Sequence, residues 1–82
     1  MNTMNDTTFT LNEGTEYIEL YKLLKVTTLC GTGGEAKMRI ADGEAKVDGE
    51  VTTVKRLKIR PDMLVDFAGE TINVVLHDPK EG

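Results

Sequence analysis

Arg56, Lys58 and Arg60 fall at alternate positions. A strand through 55–60 would carry all three on one side, with Leu57 and Ile59 on the other. Cations so placed repel one another, a cost that a bridging anion such as a phosphate backbone removes. The same pattern also suits an edge strand that uses charge to refuse further pairing, and the residues alone leave both readings open. Upstream, Thr32–Gly49 (TGGEAKMRIADGEAKVDG) threads Lys37, Arg39 and Lys46 through a helix start, a helix stop and a hairpin turn. A compact basic helix-hairpin is a plausible grip for a phosphate backbone. Its Gly33-Gly34-Glu35 start would let a partner's backbone come close, and the N–H groups of a helix start attract phosphate. Plain loop flexibility before a cap is the blander account. Gly31-x-Gly33-Gly34 is not a nucleotide loop, since no Lys-Ser/Thr follows it and no strand precedes it.

Bond-breaking chemistry finds no such constellation. Cys30 is the single cysteine, with no second thiol or histidine near it in sequence to activate it, and reads as a small buried hydrophobe. His77 is the single histidine and reads as a solvated strand end. The acids are scattered over turns with no metal-binding spacing. The expectation is a protein that is not an enzyme and needs no cofactor or metal. Phe9, Tyr17, Tyr21 and Phe67 are the only aromatics. Spacing assigns both tyrosines to the buried stripe of a helix, which leaves few platforms for splayed bases and favours recognition of folded RNA by shape and charge.

The totals bound the size of any site. Eighty-two residues make one domain with a thin core, better suited to a binding surface than to a deep cleft. The net charge is −4, yet residues 22–60 hold nine Lys or Arg against five Asp or Glu, while the two flanks hold one basic residue against nine acidic ones. A positive middle between acidic ends matters more to an anionic partner than the sum does. One cysteine excludes an internal disulfide, no apolar run could span a membrane, and the N-terminus lacks a signal-like pattern; a cytoplasmic setting is expected.

These side chains need elements to hold them. Residues 1–8 read as a disordered N-terminal tail, 9–77 as a single domain and 78–82 as a polar C-terminal tail. Phe9-Thr10-Leu11 suggests a short edge strand. Tyr17, Leu20, Tyr21 and Leu24 recur at helical spacing and predict a first helix over Thr15–Val26. The T-x-x-E pattern of Thr32 and Glu35 is a capping box, and Gly43 is a C-terminal cap, so a second helix runs over Gly33–Asp42. Ala45 and Val47 point inward and Lys46 outward, Asp48-Gly49 is a hairpin turn, and Val51 is expected to face inward on the return. Val54 breaks the alternation, which predicts a bulge or bend at Thr53–Lys55. Pro61-Asp62 and Ala68-Gly69-Glu70 are turns around a strand at Leu64–Phe67, and Ile72, Val74 and Leu76 alternate in a last strand. The predicted class is α+β: two packed helices followed by a small bent antiparallel sheet.

Leu20-Tyr21-Lys22-Leu23-Leu24, Gly34-Glu35-Ala36-Lys37, Ile40, Gly43, Val47-Asp48-Gly49 and Arg56-Leu57-Lys58 together resemble the S-four RNA-binding domain, the αL motif. The likeness covers roughly residues 15–67 and points to the family's free-standing, YbcJ-type branch. It implies that helix two, its preceding loop and the adjoining hairpin face structured RNA, with ribosomal RNA a candidate, in a monomeric protein. Carried over by position, it nominates Lys37, Lys46, Arg56 and Lys58, with Lys55 and Gly34 as weaker members. Two departures matter. Many family members have Arg where this chain has Glu19, and Ser-Arg where it has Thr32-Gly33, which moves weight onto the later Lys/Arg cluster; the YbcJ-type branch generally shares the glycine. The competing expectation is a protein–protein adaptor, favoured if Lys37, Lys46, Arg56 and Lys58 scatter and disfavoured if they converge.

Overall fold

Thr32 opens the second helix as its side chain predicts. In the computed structural model, which describes residues 5–76, the elements in chain order are β1 (Asn5–Thr10), β2 (Ile18–Glu19), α1 (Leu20–Val26), α2 (Gly33–Ala41), β3 (Ala45–Val47), β4 (Glu50–Thr52), β5 (Lys58–Ile59), β6 (Leu64–Phe67) and β7 (Glu70–Val75). The Thr32 hydroxyl accepts the Glu35 N–H at 3.0 Å. The Glu35 carboxylate accepts the Gly31 N–H at 2.9 Å, one residue before the cap itself. Asp42 is the C-cap rather than the last helical residue. Gly43 follows at φ 81°, and its N–H bonds the Ile40 carbonyl at 2.9 Å, a left-handed stop that a side chain would strain. Replacing Thr32→Ala is expected to cost about 1 kcal/mol, read as a lower urea midpoint; an unchanged midpoint would show that the cap is idle.

The first helix is shorter than its apolar spacing predicts. It begins at Leu20, because Glu19 is extended (φ −71°, ψ 143°) and Ile18–Glu19 pairs antiparallel with Lys58–Ile59. A turn at Asn12–Thr15, with Gly14 at φ 89°, precedes this short ladder. Tertiary pairing has overridden local periodicity here. The helix ends through the Leu24 carbonyl, which accepts N–H groups from Leu29 and Cys30 at 3.0 and 3.1 Å.

The main sheet has the order β1-β7-β6-β3-β4. Its β3–β4 hairpin turns through Asp48 (φ 52°) and Gly49 (φ 87°), both positive as a two-residue primed turn requires. That register sets Lys46 opposite Val51, so both point to the outer face. Val51 is therefore exposed at 57%, not inward as expected. The chain then leaves the sheet over Thr53–Leu57: the Thr52 hydroxyl accepts the Val54 N–H, and Lys55–Arg56 form a turn. The expected strand over 55–60 is only Lys58–Ile59, and it belongs to the separate ladder with β2. The strand at Leu64–Phe67 and the turns at Pro61-Asp62 and Ala68-Gly69 fall where predicted, with Glu70 already in β7. Leu76 lies past the end of β7 and is exposed.

The sheet is mixed, not purely antiparallel, because β1 runs parallel to β7 from Asn5↔Glu70 to Thr10↔Val75. Residues 5–8, read as part of a tail, thus lie in a strand; residues 1–4 and 77–82, with His77 and the C-terminal tail, lie outside the described residues. Leu20, Leu23 and Leu24 of α1 and Ala36 and Ile40 of α2 pack with Ala45, Val47, Val65, Phe67, Ile72 and Val74 of the sheet and with Ile59. One sheet face is covered by the helices. The other carries Lys46, Val51, Asp66, Thr71 and Asn73 to solvent.

Candidate nucleic-acid interface

A helix start leaves backbone N–H groups without intrahelical partners, and α1 has no side-chain cap. The segment after β4 supplies what is missing. Leu20 N–H bonds the Leu57 carbonyl at 2.9 Å, and Tyr21 N–H bonds the Lys55 carbonyl at 3.1 Å. Two backbone bonds therefore hold Lys55-Arg56-Leu57 against the first turn of α1, and β2–β5 pairing extends the contact by setting Glu19 opposite Lys58. Arg56 and Lys58 are fixed beside Tyr21 and Tyr17 by the same bonds that begin the helix.

Tyr21 is the centre of the resulting cluster. Lys37 Nζ lies 4.6 Å from its ring centroid, the Arg56 guanidinium 5.8 Å and Lys22 Nζ 6.0 Å. Lys58 Nζ lies 5.0 Å from the Tyr17 ring. Two like charges about 8 Å apart in water repel by about 0.5 kcal/mol. An exposed cation–ring contact returns about 0.5–1 kcal/mol, so the two rings offset most of the cost of collecting these charges. Helical spacing alone places both tyrosines in the buried stripe. Tyr17 is instead 40% exposed and Tyr21 half-buried, because α1 starts after Tyr17 and Tyr21 sits at the rim of its apolar face. A phenol hydroxyl, which resists full burial, was the available signal. Lys22 is the cation that sequence reasoning passed over; it also pairs with Glu19 at 3.7 Å.

The other nominated residues divide. Lys55 is exposed in the turn beside Arg56 and contributes its carbonyl to the α1 start. Gly34 is exposed in the first turn of α2, and a Cβ there would meet nothing closer than the Thr32 hydroxyl at 3.9 Å, so the chain's own packing does not demand glycine. Lys46 is set apart: it lies on the outer sheet face between Val51 and Asp66. Arg39 is committed elsewhere. Its Nε bonds Glu44 at 2.9 Å, its guanidinium approaches Glu35 at 3.6 Å, and it covers the Phe67 ring at 4.7 Å. The bond to Glu44 strengthens its hold on its proton. Of the three cations within Thr32–Gly49, Lys37 alone joins the cluster.

Cys30 is buried at 3% exposure. Burial pushes its thiol pKa up, the Glu35 and Glu44 carboxylates add to that, and Arg39 opposes it. A thiol held protonated is a poor nucleophile. Among the described residues no cluster of His, Cys, Asp and Glu could hold a metal ion, and no helix is long and apolar enough to cross a membrane.

A helix pair backed by a small sheet, with cations gathered where α1, α2 and the segment before β5 meet, defines an α+β domain of the αL type. The chain belongs to the S4 domain family, which it matches over residues 9–75. It is 46% identical over 59 residues to YbcJ of Escherichia coli K12, covering 72% of this chain and 84% of that one, and equally similar to YbcJ of Shigella flexneri. The solution structure of E. coli YbcJ, described as revealing an αL motif involved in RNA binding, superposes with a TM-score of 0.66 at 41% identity over 92% of this chain and 94% of that one.

Proposed function

We propose that this protein binds structured RNA through the face formed by Tyr21, Lys22, Lys37, Arg56 and Lys58, with Lys55 and the Gly33-Gly34 start of α2 at its border. The observation that carries the reading is the convergence of Lys37 and Arg56, far apart in sequence, on one ring. Kinship with YbcJ supports the same partner class. Lys46 lies outside the face and is assigned no contact in it. A ribosomal RNA segment is the first partner to try. The binding face is complete within one chain, which favours a monomer, and a buried free thiol suits the reducing cytoplasm. The reading is of binding alone, with no chemical step.

If about four to five phosphates are neutralised, the log–log slope of affinity against salt is about −3 to −4.5. Titrating a folded ribosomal RNA fragment at several salt concentrations measures it. A slope near zero would defeat the proposal and favour the adaptor, whose docking need not release counterions.

A further inference from the structure

Next to the cationic rings, the loop between β1 and β2 walls a half-open cavity of about 600 Å³, a size typical of small-ligand sites. Phe9, Asn12, Thr15, Glu16, Tyr17 and Lys22 are among its lining. Two of them belong to the face already described: Tyr17 carries Lys58 at its ring, and Lys22 reaches toward Tyr21. The cavity is thus continuous with the proposed RNA face. Its chemistry differs from that face, since Glu16 and Glu19 both border it. Two carboxylates repel a phosphate, so the backbone that binds outside is not what enters here.

We propose that this cavity receives one unpaired nucleobase turned out of the bound RNA, with guanine the best fit. The inference rests on the RNA-binding reading. Phe9 and Tyr17 offer apolar ring surface for the flat faces of a base, and every base has such a face. Glu19 is held by Lys22, while Glu16 makes no ion pair among the described residues and keeps its carboxylate available to accept hydrogen bonds. Guanine presents adjacent N1–H and N2–H donors that match the two oxygens of one carboxylate. Uracil has a single N–H between two carbonyls, which a carboxylate repels. Lys22 lines the cavity and Lys58 lies over the ring of its neighbour Tyr17, so both can meet the phosphates flanking a turned-out nucleotide. A base that is already unpaired costs least to extract, so bulges and loops are the expected targets.

Three otherwise identical RNA hairpins test this: one fully paired, one with a single bulged G and one with a single bulged U. The bulged-G hairpin is expected to bind about tenfold more tightly than the paired one, as stacking of one base allows, and more tightly than the bulged-U hairpin. Glu16→Gln should erase the G-over-U preference, with an unchanged melt confirming the fold. Equal affinity for all three hairpins overturns the cavity assignment and leaves the cationic face standing. A G preference that survives Glu16→Gln also overturns it, because the base edge is then read elsewhere. Failure of every hairpin to bind at low salt removes both readings together.

Discussion

Lys37→Glu combined with Arg56→Glu is expected to weaken binding to structured RNA by about 100-fold or more, at about 1.5 kcal/mol for each charge-assisted hydrogen bond to phosphate that is removed. The size of the effect follows from geometry. Both groups address the same ring, so a phosphate over Tyr21 meets two carboxylates where it met two cations. The fold should survive. Arg56 is exposed and Lys37 half-buried, neither is in an ion pair among the described residues, and surface changes of this kind usually stay within about 0.5 kcal/mol each. The melting temperature therefore stays within about 8 °C of wild type. Lys46→Glu is the matched control. It adds a carboxylate on the outer sheet face, away from the rings, and should cost no more than about threefold, the long-range effect of charge alone. Wild-type affinity in the double variant, or an equal loss in the control, would move the binding face elsewhere.

What the sequence revealed and what it hid separate by the range of the interaction. The Thr32 cap, the Gly43 stop, the Asp48-Gly49 turn and the strand at Leu64–Phe67 depend on neighbours within a few residues, and all four were legible. So was the αL order of motifs, which anticipated the helix pair and picked out Lys37, Arg56 and Lys58, the cations that gather at the Tyr21 and Tyr17 rings. The parallel pairing of β1 with β7 joins opposite ends of the chain, and nothing local in Asn5–Thr10 announces it. The start of α1 was misplaced for a related reason: its caps are carbonyls from Lys55 and Leu57, which no inspection of residues 15–26 could supply. Two further features follow from local spacing. A two-residue turn fixes Val51 opposite Lys46 by register alone, and Glu35 stands four residues before Arg39, a spacing that already favours their pairing on a helix.

Leu24→Ala should take more from stability than any surface change discussed above, and little from affinity. Leu24 is wholly buried in α1, among Leu20, Leu23, Ala36 and Ile40. Truncating a buried leucine costs about 2–5 kcal/mol through reduced burial and the cavity left behind. A domain of this length has about 4–12 kcal/mol in all. The melting temperature should fall by about 10 °C or more, read by calorimetry. Val26→Ala, two residues on and 52% exposed, should change stability by no more than about 0.5 kcal/mol. Affinity separates packing from direct contact with RNA. The bonds that place Arg56 run through the backbone of Leu20 and Tyr21, which the substitution leaves intact, so well below its melting point the Leu24→Ala protein should bind RNA within about threefold of wild type, a difference of about 0.7 kcal/mol. A large drop in affinity in a folded Leu24→Ala protein would mean that core packing, and not the backbone caps on α1, fixes the distance between Tyr21 and its cations.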